Sequence, residues 1–321
     1  ARLLKGDSPK IIWSHILKRA LALIIIGVYM VNAEYGYDES KMFITPAFWG
    51  LLAYLMPIPI WNKYSKTFPK LTKSILQYGG MLVLVLLYFL YVQDTGAVGI
   101  TPKWWGILGL IGWAYLITVV YYWLVNGKLP AMIVFLFVCL IANVLNLTEG
   151  TFVREMGGLS FIAGHMTHAT LVVAGVVISL LFFEGTLSEK VNWKVIGFAL
   201  LFFLTGYLLR PYYEVSKIRG TPSWILYSAG ICTLLFYFLY WLMEIKKITK
   251  WSEFFMPAAA NPLLIYILPG IIYYFNLALG IKIIPDFLNS CVLGIIWSLV
   301  FSTIMLFVMR IFNKYKIQLH L

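Results

Sequence analysis

Residues 171–183 read LVVAGVVISLLFF, a run without a charged side chain that directly follows the stretch GHMTHAT at 164–170. A helix needs roughly 20 mainly apolar residues to cross the hydrocarbon core of a membrane. The run reaches that length when it is extended back to about residue 161. Comparable runs recur along the whole chain, so the sequence predicts a bundle of membrane-spanning helices.

The composition supports the same fold class. Of the 321 residues, 61% are hydrophobic and 12% are charged, and the mean hydropathy is +0.86. An ordinary soluble domain carries about 25% charged residues. We therefore expect an all-α, polytopic integral membrane protein in which residues 1–321 form a single transmembrane domain. Its three cysteines lie in apolar runs without CxxC spacing, which indicates no disulfide framework.

The apolar runs predict about ten spans. The second is interrupted by MPIPIW and the ninth contains three prolines, so we expect both to be kinked or discontinuous. The predicted spans are residues 17–33, 47–61, 75–93, 105–126, 130–147, 161–183, 195–212, 223–243, 254–276 and 287–311.

Positive charge is distributed unequally between the two ends of these spans. Of the 25 Lys and Arg residues, 18 lie on the side that includes both chain termini and 7 lie on the other. Cytoplasmic loops carry the excess of Lys and Arg, so both termini of this chain are expected in the cytoplasm. The net charge of +12 then follows from the topology, and we expect no nucleic-acid partner.

Two histidines, His165 and His168, lie one helical turn apart at the predicted outer end of the sixth span. The pair has three interpretations: a metal site, a proton-handling or substrate-contacting site, and a structural role. Zinc sites usually need three or four protein ligands, and no cysteine or HExxH completes one, so no metal is predicted. Glu149 on the preceding outer loop would orient an imidazole as a general base, or would only solvate the loop with Arg154 and Glu155.

Three cations run against the charge bias. Arg210, Lys217 and Arg219 lie on the predicted outer side, where they would suit an anionic group or a developing oxyanion. Their alternative role is interfacial anchoring by long side chains. The stretch TPSW that follows predicts a helix start, with Thr221 as the cap and Pro222 at the first helical position.

The stretch AAANPLLIYILPG at 258–270 places an amide within an apolar span. Asn261 precedes Pro262, and Tyr266 follows five residues later. Asn261 has two interpretations, the cap of a half-helix and a contact with substrate or cofactor. The sequence contains no P-loop, GxSxG or dinucleotide-binding fingerprint.

Residues 212–275 resemble the C-terminal part of the transmembrane acyltransferases typified by heparan-α-glucosaminide N-acetyltransferase and its bacterial relatives. In that family an outer-loop Lys precedes a helix with an aromatic-rich end. A short basic turn then follows. The next helix opens on an Asn next to small residues and has a Tyr downstream. Lys217, the turn EIKKITKW at 244–251, Asn261 and Tyr266 match these features.

The resemblance extends more weakly to residues 1–32 and to HMTHATLVVAGVVISLL at 165–181. The chain departs from the family pattern in an extra hairpin at about 105–147 and in the lack of an Arg in ITPAFWGLLAYL at 44–55. The family's catalytic His lies between two helices that would precede Ala1, so we expect the native protein to begin upstream.

The resemblance implies an acyltransferase of a bacterial inner membrane. It implies that acetyl-CoA is the co-substrate and that the acetyl group passes to an amino or hydroxyl group of an extracytoplasmic sugar or glycan. Membrane lipids and a second copy of the chain in a homodimer are the other partners considered. The residues proposed at the reacting groups are His168, His165 and Glu149; for substrate, Lys217, Arg210, Asn261 and Tyr266; for the CoA phosphates, Lys63, Lys246 and Lys247.

Two other functions remain open. Proline-broken helices with polar residues also suit a secondary transporter or flippase for a sugar or lipid-linked substrate. A non-catalytic membrane scaffold is the third reading, and no internal repeat is visible in the sequence.

Overall fold

The computed structural model describes residues 8–103, 106–183, 193–282, 288, 290–319 and 321. Three of the charges counted toward the cytoplasmic side, Arg2, Lys5 and Lys190, lie outside the described residues. The described part is helical, with isolated β-bridges in place of strands. This confirms the all-α class predicted from the sequence.

Thirteen α-helices are assigned within the described residues. In chain order, α1 to α13 are Pro9–Glu34, Pro46–Leu55, Pro57–Trp61, Lys70–Leu90, Ile107–Leu124, Leu129–Leu147, Phe152–Glu155, Gly157–Phe183, Trp193–Leu209, Pro222–Tyr240, Met256–Ala259, Pro262–Leu279 and Cys291–Lys314. Short 3₁₀ segments at Glu39–Lys41 and Lys250–Phe254 and a π turn at Trp241–Ile245 complete the helical structure.

Eight helices in the described chain are long and apolar enough to cross a membrane. They are α1, α4, α5, α6, α8, α10, α12 and α13. Shorter apolar helices occupy Pro46–Trp61 and Trp193–Leu209, where the second and seventh spans were expected. The count of ten spans and the cytoplasmic position of both termini stay predictions.

The two spans that were expected to be discontinuous are broken. The chain leaves α2 at Met56 and starts α3 at Pro57, within the MPIPIW stretch. It leaves α11 at Ala260 and starts α12 after Asn261, while Pro269 stays inside α12. Because a proline lacks the backbone N–H of a helix interior, it is tolerated best in the first turn, which Pro57 and Pro262 occupy.

The chain divides into two compact units. Unit 1 comprises Ala1–Leu21 and Leu110–Thr249, and unit 2 comprises Ala22–Gly109 and Lys250–Leu321. Unit 2 is thus built from two separate stretches of chain. The single transmembrane domain expected for residues 1–321 stays a prediction.

In unit 1, α6 packs on α8 and α9 packs on α10. Fully buried small and medium apolar side chains fill the space between them, among them Met132, Cys139, Val173 and Val195. Lipid is as apolar as these side chains, so close packing holds such helices together more than hydrophobic burial does.

In unit 2, α2 packs on α12 and α3 packs on α4. Trp49 is 1% exposed and donates its indole N–H to the carbonyl of Leu87 at 2.9 Å, and its ring stacks on Tyr29. The connections that precede α2 and follow α4 pair through a bridge between Tyr37 and Gln93. In the first of them, hydrogen bonds from Lys41 and Ser40 hold the pKa of Asp38 below its ordinary value.

The C-terminal segment of unit 2 is attached by two asparagines. Asn261 donates to the carbonyl of Ile317 at 3.0 Å and accepts from the N–H of Leu319 at 3.2 Å. Asn62 accepts from the N–H of Gln318 at 2.8 Å. The segment after α13 is therefore held by Asn62, at the C-terminal end of α3, and by Asn261, at the break between α11 and α12.

Candidate functional site

The candidate site lies in unit 1 around the two histidines of α8. His165 is 6% exposed, and its imidazole stacks on Trp113 of α5 at 5.1 Å between ring centroids, with Phe161 edge-on at 4.7 Å. The ring of His168 lies 6.0 Å from that of Trp224 on α10. Three helices therefore supply the aromatic walls around the pair.

Asn143 connects α6 to α8 and to the loop before α10. The side chain is 1% exposed, and its Nδ2 donates to Thr167 Oγ1 at 2.7 Å and to the carbonyl of Gly220 at 3.1 Å. Since Thr167 lies between the two histidines in sequence, this contact fixes the turn of α8 that carries His168. The side chain of Asn143 thus joins α6 and α8 to the loop before α10.

The loop before α10 is shaped by its own side chains. Thr221 is the N-cap residue and Pro222 begins α10, as predicted, although the Thr221 hydroxyl accepts from the N–H of Ser216 at 3.0 Å and does not cap the helix. Gly220 has a φ of +60° and closes the turn with Lys217. The turn carries Lys217, which is exposed.

Three buried polar atoms of this site have no hydrogen-bond partner among the described residues: Asn143 Oδ1, His165 Nδ1 and His168 Nδ1. Such an atom destabilises a protein by roughly 1–3 kcal/mol, and most buried polar atoms are paired. By contrast, the buried amide of Asn32 in unit 2 uses both its atoms, with four hydrogen bonds to Val28 and Thr101. Single unpaired atoms also occur elsewhere in the described chain, on Thr118 and Asn313, but at this site two of them lie one turn apart on α8.

Glu149 and Arg210 lie on the surface of unit 1. Glu149 is exposed and forms an ion pair with Arg154 at 3.6 Å. It makes no hydrogen bond to the Nδ1 atom of either histidine, so it does not orient an imidazole through that atom. Arg210 is exposed in the turn that follows α9. The structure places the loop of Lys217 against the turn of α8 between His165 and His168, and it gives Glu149 a different partner.

Asn261 and Tyr266 belong to unit 2. Asn261 is fully buried at the N-cap position of α12, and its amide is used by the C-terminal segment described above. The cap position that the sequence predicted is confirmed, although no side-chain cap bond forms. Tyr266 is 44% exposed on α12. A contact of either residue with a substrate or cofactor stays a prediction.

The three lysines proposed for CoA phosphates are exposed. Lys246 lies over the ring of Trp241 at 5.4 Å, and Lys247 pairs with Glu244 at 3.4 Å. Lys63, in unit 2, donates its backbone N–H to the carbonyl of Gln318. Their ammonium groups are accessible to a phosphate, and phosphate binding stays a prediction.

Within the described residues, no group of three His, Cys, Asp or Glu side chains lies close enough to hold a metal ion. The two histidines therefore lack a third protein ligand in this part of the chain. The prediction that the site needs no metal remains a prediction.

Sequence reasoning missed Asn143, Trp113 and Gly220. A signal for Asn143 was present, because an amide within the apolar stretch IANVLNL at 141–147 is costly in a membrane and needs partners. Nothing in the sequence connects Gly220 to α6 or Trp113 to α8, since both contacts depend on tertiary packing.

The fold and these polar contacts define an integral membrane protein with a polar cluster inside one helical unit. The chain matches no protein-family model, no curated protein and no solved structure. The resemblance to the transmembrane acyltransferases therefore rests on the residues quoted for it.

Proposed function

We propose that the chain is a membrane-bound acyltransferase of a bacterial inner membrane. It moves an acetyl group from cytoplasmic acetyl-CoA to an amino or hydroxyl group of an extracytoplasmic sugar or glycan. The observation that carries the proposal is the set of three unpaired buried polar atoms on Asn143, His165 and His168, with the loop that carries Lys217 attached to Asn143 through the carbonyl of Gly220.

The reaction requires the acceptor nitrogen or oxygen to attack the acetyl carbonyl. A C–N or C–O bond forms, the C–S bond breaks, and the CoA thiol leaves with the proton that the acceptor loses. An imidazole that accepts this proton typically contributes 10²–10⁴-fold to a rate. We assign this contact to His168, whose Nε2 makes no hydrogen bond with a described residue.

Lys217 and Asn143 have supporting roles in this mechanism. The ammonium of Lys217 stabilises the oxyanion that develops on the carbonyl oxygen. Asn143 holds the turn of α8 and the Lys217 loop in one arrangement through its two hydrogen bonds. His165, enclosed by Trp113 and Phe161, positions the first turns of α8.

The test is transfer of a labelled acetyl group in proteoliposomes. Acetyl-CoA is supplied on one side and glucosamine on the other, and N-acetylglucosamine is measured by mass spectrometry. His168→Ala is expected to lower the rate at least about 100-fold, in line with the loss of a proton-accepting group. The matched control is His15→Ala, because His15 is an exposed histidine of α1 in the same unit.

Two results would contradict the proposal. One is the absence of any heat of acetyl-CoA binding to the purified protein in calorimetry, with CoA as the competitor. The other is an acetyl-transfer rate that His168→Ala and His15→Ala leave equally unchanged.

A secondary transporter or flippase is the alternative function. Its supporting observation is the pair of discontinuous helices, α2–α3 and α11–α12, since broken helices line substrate paths in many transporters. Flux of labelled glucosamine across the proteoliposome membrane without acetyl-CoA would favour this function over acyl transfer.

A further inference from the structure

Unit 2 contains a cavity of about 470 Å³, and none of the site residues proposed above lines it. This volume falls within the 300–1,000 Å³ typical of small-molecule sites. Its walls include Glu34 at the end of α1 and four tyrosines: Tyr37, Tyr54, Tyr273 and Tyr274. Pro269 and Gly270 of α12 complete the wall opposite α1. We call it the tyrosine cavity.

The two inner tyrosines are held rigidly. Tyr54 and Tyr274 are 6% and 5% exposed, and their ring centroids lie 5.2 Å apart. Gly270 lies against the ring of Tyr54 and Gly50 against the ring of Tyr274, so closely that a Cβ at either glycine would overlap the ring. The two glycines thus allow the rings to lie at the wall of the cavity.

The hydroxyl groups of these tyrosines are available to a ligand. Neither Tyr54 nor Tyr274 donates a hydrogen bond to any residue that the structure describes, in contrast to Tyr29, which donates to the carbonyl of Leu84 at 2.6 Å. Tyr37 is fixed at the rim, because its backbone bridges to Gln93 and its ring lies edge-on to Tyr91.

Glu34 is the charged residue of the cavity wall, and it has no ion-pair partner among the described residues. Its side chain shares the cavity wall with Tyr54 and Tyr274. Tyr35 follows Glu34 in the chain, and its carbonyl accepts a hydrogen bond from the ammonium of Lys103 at 3.1 Å. Lys103 makes no hydrogen bond to the carboxylate of Glu34. The cavity therefore presents, beside its aromatic rings, an exposed carboxylate that has no ion-pair partner among the described residues.

We infer that the tyrosine cavity binds a ligand that carries an ammonium group. A cation is attracted both by a carboxylate and by the faces of aromatic rings. A neutral sugar could stack on the same rings but would leave Glu34 without a counter-charge. The combination of carboxylate and tyrosines thus selects the cation.

Two sources supply this chemistry, a soluble amine such as an amino sugar and the ethanolamine headgroup of a lipid. The inference rests on unit 2 alone, and it holds or fails whether or not the chain transfers acetyl groups. Its test is a binding measurement, so its failure is distinguishable from the failure of the proposed function.

The experiment is calorimetry on the full chain in phosphatidylglycerol nanodiscs at neutral pH. Glucosamine and ethanolamine are the probes, and N-acetylglucosamine is the neutral counterpart of the first. Both amines are expected to bind, and the N-acetylated sugar is expected to bind at least tenfold more weakly. Replacing half of the phosphatidylglycerol by phosphatidylethanolamine distinguishes the sources: weakened glucosamine binding identifies the lipid headgroup, and unchanged binding identifies the soluble amine.

Glu34→Gln is expected to weaken amine binding at least tenfold. The matched control is Glu39→Gln, because Glu39 is an exposed carboxylate on the same connection that does not line the cavity. Tyr273, which is 60% exposed, provides a second pair of variants that is insensitive to core packing. Tyr273→Phe keeps the ring and is expected to retain binding, whereas Tyr273→Leu is expected to lose most of it.

Three results would overturn the inference. They are wild-type protein that binds neither amine, N-acetylglucosamine that binds as tightly as glucosamine, and amine binding that both Glu34→Gln and Tyr273→Leu leave intact.

Discussion

Two glycines of unit 1 illustrate how a single position controls the candidate site. Gly220 and Gly150 both have a positive φ, +60° and +71°. A Cβ at Gly220 would lie 2.8 Å from Cγ2 of Thr167, whereas a Cβ at Gly150 would meet no atom within 4 Å. A substitution at either glycine would therefore strain the backbone. A substitution at Gly220 would also bring the new side chain against α8.

Gly220→Ala is accordingly expected to destabilise the protein more than Gly150→Ala. The positive φ costs about 1–2 kcal/mol for an alanine at either position. Gly220→Ala adds an overpacking cost of roughly 1–3 kcal/mol against Thr167. Unfolding titrations in mixed dodecyl maltoside and SDS micelles measure the difference, and equal unfolding free energies of the two variants would contradict it.

The sequence identified the two histidines of the candidate site but not the residues that surround them. The spacing of His165 and His168 was sufficient to place both on one face of α8. Trp113, which stacks on His165, and Asn143, which bonds to Thr167 between the histidines, come from other helices. Only the packing of α5 and α6 against α8 and the closure of the loop that carries Lys217 bring these segments close. Local sequence carries no information on those distances.

Helix starts and breaks were the elements that the sequence predicted best. Pro222 and Pro262 each begin a helix, because a proline fits only the first turn without loss of a hydrogen bond. The role of Asn261 was not predictable in the same way. Its amide holds Ile317 and Leu319, which lie 56 and 58 residues away in the chain.

Asn261→Ala is expected to release the C-terminal segment. The substitution removes the partner of the Ile317 carbonyl and of the Leu319 N–H, and each unpaired buried group costs roughly 1–3 kcal/mol. Hydrogen exchange of the Leu319 amide is the measurement, and it should become much faster.

Asn276→Ala is the matched control, since Asn276 lies on the same helix and its side chain makes no hydrogen bond with a described residue. Exchange of the Leu319 amide should stay slow in this variant. Slow exchange in Asn261→Ala as well would show that other contacts hold the segment.

For the whole molecule, composition and charge predicted the class of protein, because a membrane imposes length and polarity on every span. Hydropathy identified the eight long helices and also the positions of the two shorter ones. The division into two units was not predictable, since it depends on which helices pack together and not on how apolar each one is.

The topology itself is a prediction for the whole chain. With 18 of 25 Lys and Arg residues on one side, a green fluorescent protein fused after Leu321 is expected to fluoresce, and alkaline phosphatase inserted after Gly150 is expected to be active. The reverse pair of fusions, with phosphatase after Leu321 and fluorescent protein after Gly150, should be silent. Active phosphatase at the C-terminus would invert the topology.

The two units alternate along the chain, and this has a consequence for biosynthesis. The hydrogen bond between Asn62 and Gln318 joins residues 256 positions apart, and the whole stretch Leu110–Thr249 is synthesised between the two parts of unit 2. Domains generally fold in the order in which a ribosome produces them. The face of α2 that packs on α12 therefore stays uncovered in the bilayer until residues 250–321 are inserted. During that interval it is exposed to quality-control proteases and to membrane chaperones.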